Sequence, residues 1–285
     1  MSVTVLGTGF NVMAYPEEME AAVTLVHGKV GVQTDHRQQI LQPDEQYVYQ
    51  TTTRRGTVRK VDVSQYVDWK DGILNFDSMP LEELTRRLGR WYDVDFFFVA
   101  EELKKENIGL DIVHVGVKPV AGCLDCRKCR TNGHRCIHND IVNKLIDMLP
   151  EYDGLIIACP VHYMGIPGPF KSVLDRLLYA TEHLEGWGPK PAATIAVCRR
   201  AGAINTAQQL GNYLNCSNLI TVNSQYWNVV FGWTPEEFLA QDKEGVQTMQ
   251  VLGRNMAWLL KVIEASGNSI PAPVYEKRVR ANFCR

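Results

Sequence analysis

Leu155-Ile-Ile-Ala158-Cys-Pro-Val-His-Tyr-Met-Gly165 sets an apolar run against a turn-prone loop, and an amphipathic stretch from about Gly168 to Ala180 follows it. A short continuous apolar run that feeds a loop and then a helical pattern reads as a strand buried in a parallel sheet. Downstream the alternation continues through Ala192-Ala-Thr-Ile-Ala-Val197, a helix around Asn205 to Tyr213, Leu219-Ile-Thr-Val222 and a long helix through Gln247 to Ala265. Upstream, Leu110 to Val115 reads as a strand and Asp140 to Leu149 as a helix. This half is α/β, a parallel sheet covered by helices on both faces, with its chemistry expected in loops at the carboxyl ends of the strands.

The first hundred residues have another texture. Val3-Thr4-Val5-Leu6-Gly7, Val23-Thr24-Leu25-Val26-His27-Gly28 and Lys29-Val30-Gly31-Val32-Gln33 alternate apolar and polar positions between turn residues, as short antiparallel strands do. A strand at Ile73-Leu74-Asn75-Phe76, a helix opened by Pro80 and carrying Leu81, Leu84 and Leu88, and a β-forming run at Asp95 to Val99 make a small βαβ unit. The boundary falls between about 99 and 109, giving regions 1–99 and 100–285.

With 45% hydrophobic and 22% charged residues in a chain of 285, one large or two small globular domains are affordable. A net charge of -2 gives no electrostatic reason to expect nucleic acid or an anionic membrane as a partner. Residues 1–30 lack the pattern of a secretory signal, and no run of about 18 apolar residues occurs, so a cytoplasmic protein without a membrane span is expected.

Four of the eight cysteines, Cys123, Cys126, Cys129 and Cys136, lie within one short stretch. In a reducing compartment such a cluster reads as metal-ligating or redox-active rather than as a disulfide framework. Three thiolates from one tight loop with a fourth from the next turn suit a 4Fe-4S cluster. A closed zinc site and unmetallated thiols are the rival readings, and Arg127, Lys128, Arg130 and Arg135 would offset thiolate charge. Cys159, Cys198 and Cys216 sit in or beside apolar segments and read as buried fillers.

Two loops complete the candidate site. Pro160, Val161, His162, Tyr163, Met164 and Gly165 follow one strand, and Arg199, Arg200, Ala201 and Gly202 follow the next, so both face one crevice. Free backbone amides in the first could bind the polar edge of a flat ring, with His162 and Tyr163 beside it, and the guanidinium groups of the second could bind a phosphate or an electron-rich ring. The plain alternatives are a strand-to-helix loop and a solvated arginine pair. Asp175 and Arg176 read as a structural ion pair or an oligomer contact, and Ser224-Gln-Tyr-Trp-Asn228 as a cover for the site or as core filling.

These motifs, Gly122 to Cys129, Ala158 to Gly165, Lys171 with Asp175 and Arg176, Arg199 to Gly202 and Ser224 to Asn228, resemble the flavodoxin-like NAD(P)H-dependent FMN reductases, including the iron-sulfur flavoproteins, over about residues 100–285. The resemblance implies a doubly wound flavodoxin-like sheet of order 2-1-3-4-5, FMN, NAD(P)H as electron donor, a small-molecule or protein electron acceptor, and a homo-oligomer. No catalytic acid or base is assigned, because chemistry of that kind belongs to the cofactor.

Val5 to Val12, Thr24 to Val30, Leu41 to Gln46, Trp69 to Gly72 and Arg90 to Val94 resemble the later part of FecR-type anti-sigma regulators, over about residues 1–104. Nothing before Leu110 matches the Gly, Ser and Thr-rich phosphate loop that opens the flavodoxin-like family. Asp95 to Val99 is the candidate for the central strand, yet it runs straight into Glu101 and Glu102, which would repel a phosphate. Two alternatives to an oxidoreductase follow: a non-enzymatic FecR-like regulatory or interaction protein, and a fusion of two gene fragments that has lost FMN binding.

Overall fold

The computed structural model describes residues 2–273 except 6, 17, 35–37, 93–106, 116–117, 183, 185–187 and 272. Two compact units divide between Val117 and Lys118. The run from Val94 to Val99, expected as a central strand, lies outside the described residues, as does Cys284.

In the first unit seven strands form two antiparallel sheets: β1 (Ser2–Val5), β4 (Val30–Gln33) and β5 (Gln38–Leu41) in one, and β2 (Gly9–Ala14), β3 (Glu20–His27), β6 (Glu45–Gln50) and β7 (Arg55–Lys60) in the other. The alternation read from the sequence has its cause here. Val30 and Val32 turn inward from β4 and join Val23, Leu25, Leu41 and Tyr47 in one core. Buried Gln46 donates to Thr24 Oγ1 at 2.8 Å and accepts from Arg59, so its amide is satisfied.

After the short helix α1 (Ser64–Val67), β8 (Ile73–Pro80) leads into α2 (Leu81–Tyr92), whose Leu84 and Leu88 pack on Leu74 and Phe76. The strand that completes this unit is β9 (Asn107–Val113), and it pairs with β8 antiparallel. Its sequence was assigned above to the parallel half. The pairing instead places it in the first unit, and Asp111 tightens it by accepting from the Phe76 amide at 3.2 Å.

In the second unit β10 (Leu155–Pro160), β11 (Pro191–Cys198), β12 (Ile220–Thr221) and β13 (Val229–Phe231) form a parallel sheet. Helices α3 (Ile141–Met148), α4 (Gly168–Ala180), α5 (Ala203–Cys216), α6 (Pro235–Gln241) and α7 (Lys243–Ser266) alternate with them. Strand β11 is buried along nearly its whole length, as a central parallel strand should be. Leu252 and Met256 of α7 cover Ala193 and Val222 on one side, and Ala203 of α5 covers Ala196 and Val229 on the other.

Two sequence expectations are corrected. The last strand is split: β12 pairs with the start of β11 and β13 with its end, because Ser224 and Tyr226 close a turn between them. Burial on both faces also fails at β10, where Ile157 and Cys159 are buried while Ile156 is 51% exposed. Among the described residues no strand pairs with the other side of β10. No helix of the described residues is long and apolar enough to cross a membrane.

Candidate functional site

Residues 121–140 bring the four cysteines to the wall of one open cavity, which Arg176, Tyr179 and Ala180 of α4 also line. The local chain curls to do this. Asp125 and Arg127 flank Cys126 in the left-handed region (φ 46° and 59°), and Gly133 and His134 reverse the chain before Cys136 (φ 55° and 63°). Left-handed backbone costs a non-glycine residue about 1 kcal/mol or more, so neighbours must hold the shape.

They do so from both flanking helices. Buried Asn143 of α3 accepts from the Cys136 amide at 2.8 Å and donates to the carbonyls of Cys136 and His138 at 3.0 and 3.1 Å. His134 Nδ1 lies 2.7 Å from the Ala180 carbonyl. Arg176 makes the most contacts: its side chain is 1% exposed, and its ion pair with Asp140 is bidentate at 2.7 and 2.8 Å. The same guanidinium donates to Cys136 Sγ at 3.2 Å, to the Ala121 carbonyl at 3.1 Å and to the His138 carbonyl at 3.4 Å.

Asp140 also caps α3 by accepting from the Val142 amide. Burial alone would raise its carboxyl, but the hydrogen bonds from Arg176 and Val142 outweigh it and hold the pKa below the ordinary carboxylate value. Burial first, and then the charges of Cys136, Cys126 and Cys123, push the Cys129 thiol up. Four thiolates this near one another need a cation among them before all can ionise.

Three of the four cations expected to offset that charge are otherwise engaged. Arg127 pairs with Asp125 at 3.4 Å, Arg130 with Glu182 at 3.7 Å and Arg135 with Asp147 at 2.5 Å. Sequence reasoning read Arg176 as a structural ion pair or an oligomer contact and missed its contact with sulfur. A signal was present: Val173, Leu177 and Ala180 mark the buried stripe of α4, and position 176 falls on it, so a charge there requires buried partners.

The two loops at the sheet edge are brought together. His162 and Gly165 exchange backbone hydrogen bonds at 3.0 and 2.9 Å, with Tyr163 (φ 45°) and Met164 (φ 65°) left-handed at the apex. The Val161 amide is spent on the Val197 carbonyl, so of the amides expected to be open only those of Tyr163 and Met164 are unengaged among the described residues. Tyr163 is fully exposed. From α5, Asn205 donates to the Met164 carbonyl and Gln209 accepts from the Ile166 amide.

Gly202 (φ 92°) seats the second loop against the first: a Cβ there would lie 2.8 Å from Val161 Cγ1 and 3.0 Å from Met164 Cα. Arg199 and Arg200 are exposed, and the Arg199 guanidinium lies 5.5 Å from the centre of the exposed Trp233 ring. The Ser224 to Asn228 segment divides its roles. Asn228 is buried and holds the Ser224 amide, while Tyr226 and Trp227 stack edge to face at 4.7 Å, each half exposed. Cys159 and Cys198 are buried as expected, burial raising the Cys159 pKa to about 11, but Cys216 is exposed because it ends α5 on the solvent side.

Residues 96–234 match the family of NADPH-dependent FMN reductases, and residues 73–114 match the C-terminal region of FecR. The chain resembles two families. An iron-sulfur flavoprotein of Methanosarcina thermophila is 25% identical over 168 residues, spanning 58% of this chain and 85% of that protein. One of Methanocaldococcus jannaschii is 24% identical over 172 residues, spanning 57% and 86%. A solved structure from Parabacteroides distasonis assigned as an anti-sigma factor is 28% identical, with TM-score 0.34, over 38% of this chain and 51% of that one, about half its length. A flavoenzyme NAD(P)H:(acceptor) oxidoreductase of Paracoccus denitrificans is 21% identical, with TM-score 0.35, over 45% and 77%. The two family matches overlap at 96–114, and the strand in that overlap pairs with β8.

Two features test the fit of a cluster. Among the described residues no three Cys, His, Asp or Glu side chains converge closely enough for one metal ion, and the four thiols line one open cavity. Four thiols spread around a cavity suit a larger, polynuclear group. The same cavity is lined by His138, whose Nε2 is buried and has no partner among the described residues. A group with acceptor sulfurs would satisfy it.

Proposed function

We propose that this chain is an FMN-dependent oxidoreductase whose second unit carries a 4Fe-4S cluster on Cys123, Cys126, Cys129 and Cys136. Electrons would come from NAD(P)H or a reduced partner and pass to a small-molecule or protein acceptor. The observation that carries the reading is the convergence of these four thiols on one cavity, against a buried guanidinium and an orphan histidine nitrogen. The match to FMN reductases over 96–234 and the iron-sulfur flavoprotein relatives support the same chemistry.

When bound, FMN supplies interconversion of two-electron and one-electron transfer and the cluster supplies one-electron steps. The residues of this chain bind and orient. The Tyr163 and Met164 amides at the strained apex are donors for the polar edge of the flavin ring. Arg199 and Arg200 supply positive charge on the adjacent loop, and Tyr226 and Trp227 supply exposed aromatic surface beyond β12. The test is FMN titration of anaerobically purified protein: quenching of flavin fluorescence with saturation near one per chain supports the reading, and no binding refutes its flavin half.

One observation favours a second reading. Strand β9 lies within the FecR match and pairs with β8, and β10 has no outer neighbour among the described residues. A non-enzymatic interaction protein built on the FecR-like unit would show cluster-free thiols and no flavin binding in the same titration.

A further inference from the structure

We infer that Arg176 is a positioning residue that clasps the cysteine loop into shape before any cluster is built and then donates a charged hydrogen bond to one of its ligands. A guanidinium has five N–H donors in a planar fork. All five are used: Nε on Cys136 Sγ, Nη1 on the Ala121 carbonyl and Asp140 Oδ2, and Nη2 on the His138 carbonyl and Asp140 Oδ1. An ion pair with Asp140 needs only two of them. The other three reach residue 121, just before the first cysteine, and residues 136 and 138, at and beyond the last. One buried side chain on a regular helix therefore ties both ends of a loop whose own backbone is strained at three non-glycine residues, Asp125, Arg127 and His134.

The inference about the loaded protein rests on the proposed cluster; the clasp itself does not. Lysine keeps the charge but is a point donor that cannot span these partners, and glutamine loses both the charge and the fork. A charged donor on a ligand sulfur stabilises the more negative, reduced state of a cluster, so it raises the reduction potential.

The test takes the full chain, anaerobic and metal-free, and measures hydrogen exchange for residues 121–140 in wild type, Arg176→Lys and Arg176→Gln. Exchange about tenfold faster in both variants, with β11 unchanged, is expected; equal exchange overturns the clasp. Should both variants unfold, Asp140→Asn removes one charge at constant size, and exchange at residues 136–140 must then rise about threefold, equal exchange overturning the claim. After reconstitution with ferrous iron and sulfide, Arg176→Gln should lower the cluster's midpoint potential, a shift that loop anchoring alone would not cause, and an unchanged potential overturns the contact with sulfur. Wild type that takes up no iron would refute the cluster and with it the contact's effect on potential, while the exchange measurement still decides the clasp.

Discussion

The cysteine loop and the flavin-edge loop leave the same unit but are built by opposite means. Residues 121–140 are shaped chiefly by side chains from the neighbouring helices, Arg176 and Asn143, each holding several backbone groups, with Asp140 anchoring the Arg176 guanidinium. Residues 160–165 close on themselves through backbone hydrogen bonds, and a glycine of the next loop is packed against them. The first design makes the loop's shape hostage to a few buried polar atoms. The second makes it hostage to backbone conformation and to the space that a missing Cβ leaves.

That contrast can be broken by substitution. Arg176→Met removes the buried guanidinium paired with part-buried Asp140 and in contact with Cys136, and should cost the second unit about 3 kcal/mol in urea unfolding, the lower end of the range for breaking a buried ion pair. Gly202→Ala combines a left-handed φ with a Cβ against Met164, and should cost about 2 kcal/mol while speeding exchange at residues 161–165 and sparing 121–140. Equal loosening of both loops by either substitution would contradict the comparison. Asn143→Ala, which takes the side-chain partner from the part-buried amide and carbonyl of Cys136 and one of the donors to the His138 carbonyl, should cost about 1 to 2 kcal/mol and act on the cysteine loop alone.

Acid should sharpen the difference. The Asp140 pKa is depressed in the folded chain, so its contribution is fully present above the ordinary value of about 3.9 and is lost as pH falls through the folded value. Exchange at residues 121–140 should therefore accelerate on acidification below pH of about 4 before exchange at residues 160–165 does. The smallest effect is expected at the exposed Lys171–Asp175 pair on α4, where Lys171→Met should change stability by less than about 0.5 kcal/mol.

The parallel strands and their helices were legible because burial imposes a period that sequence displays. The pattern at residues 168–180 predicts α4 to its ends, while α5 runs two residues further back than the pattern and three further on. The partner of Asn107–Val113 was not legible, because an apolar strand carries no mark of which sheet it joins; pairing with β8 depends on residues far away in sequence. At the site, cysteine spacing announced the four thiols but not what holds them. The nearby Arg127, Arg130 and Arg135 were the obvious cations, yet each is committed to its own carboxylate, and the buried Arg176 arrives from another helix. The open amides narrowed to Tyr163 and Met164 only when the turn geometry was known.

The most direct test of the central claim is the iron, acid-labile sulfide, zinc and flavin content of one anaerobic sample, measured beside Cys136→Ser. The account predicts about four irons and four sulfides per chain in the wild type, with the cluster lost or altered in the variant. Stoichiometric zinc, or four thiols free to titrate with neither iron nor flavin bound, would contradict it.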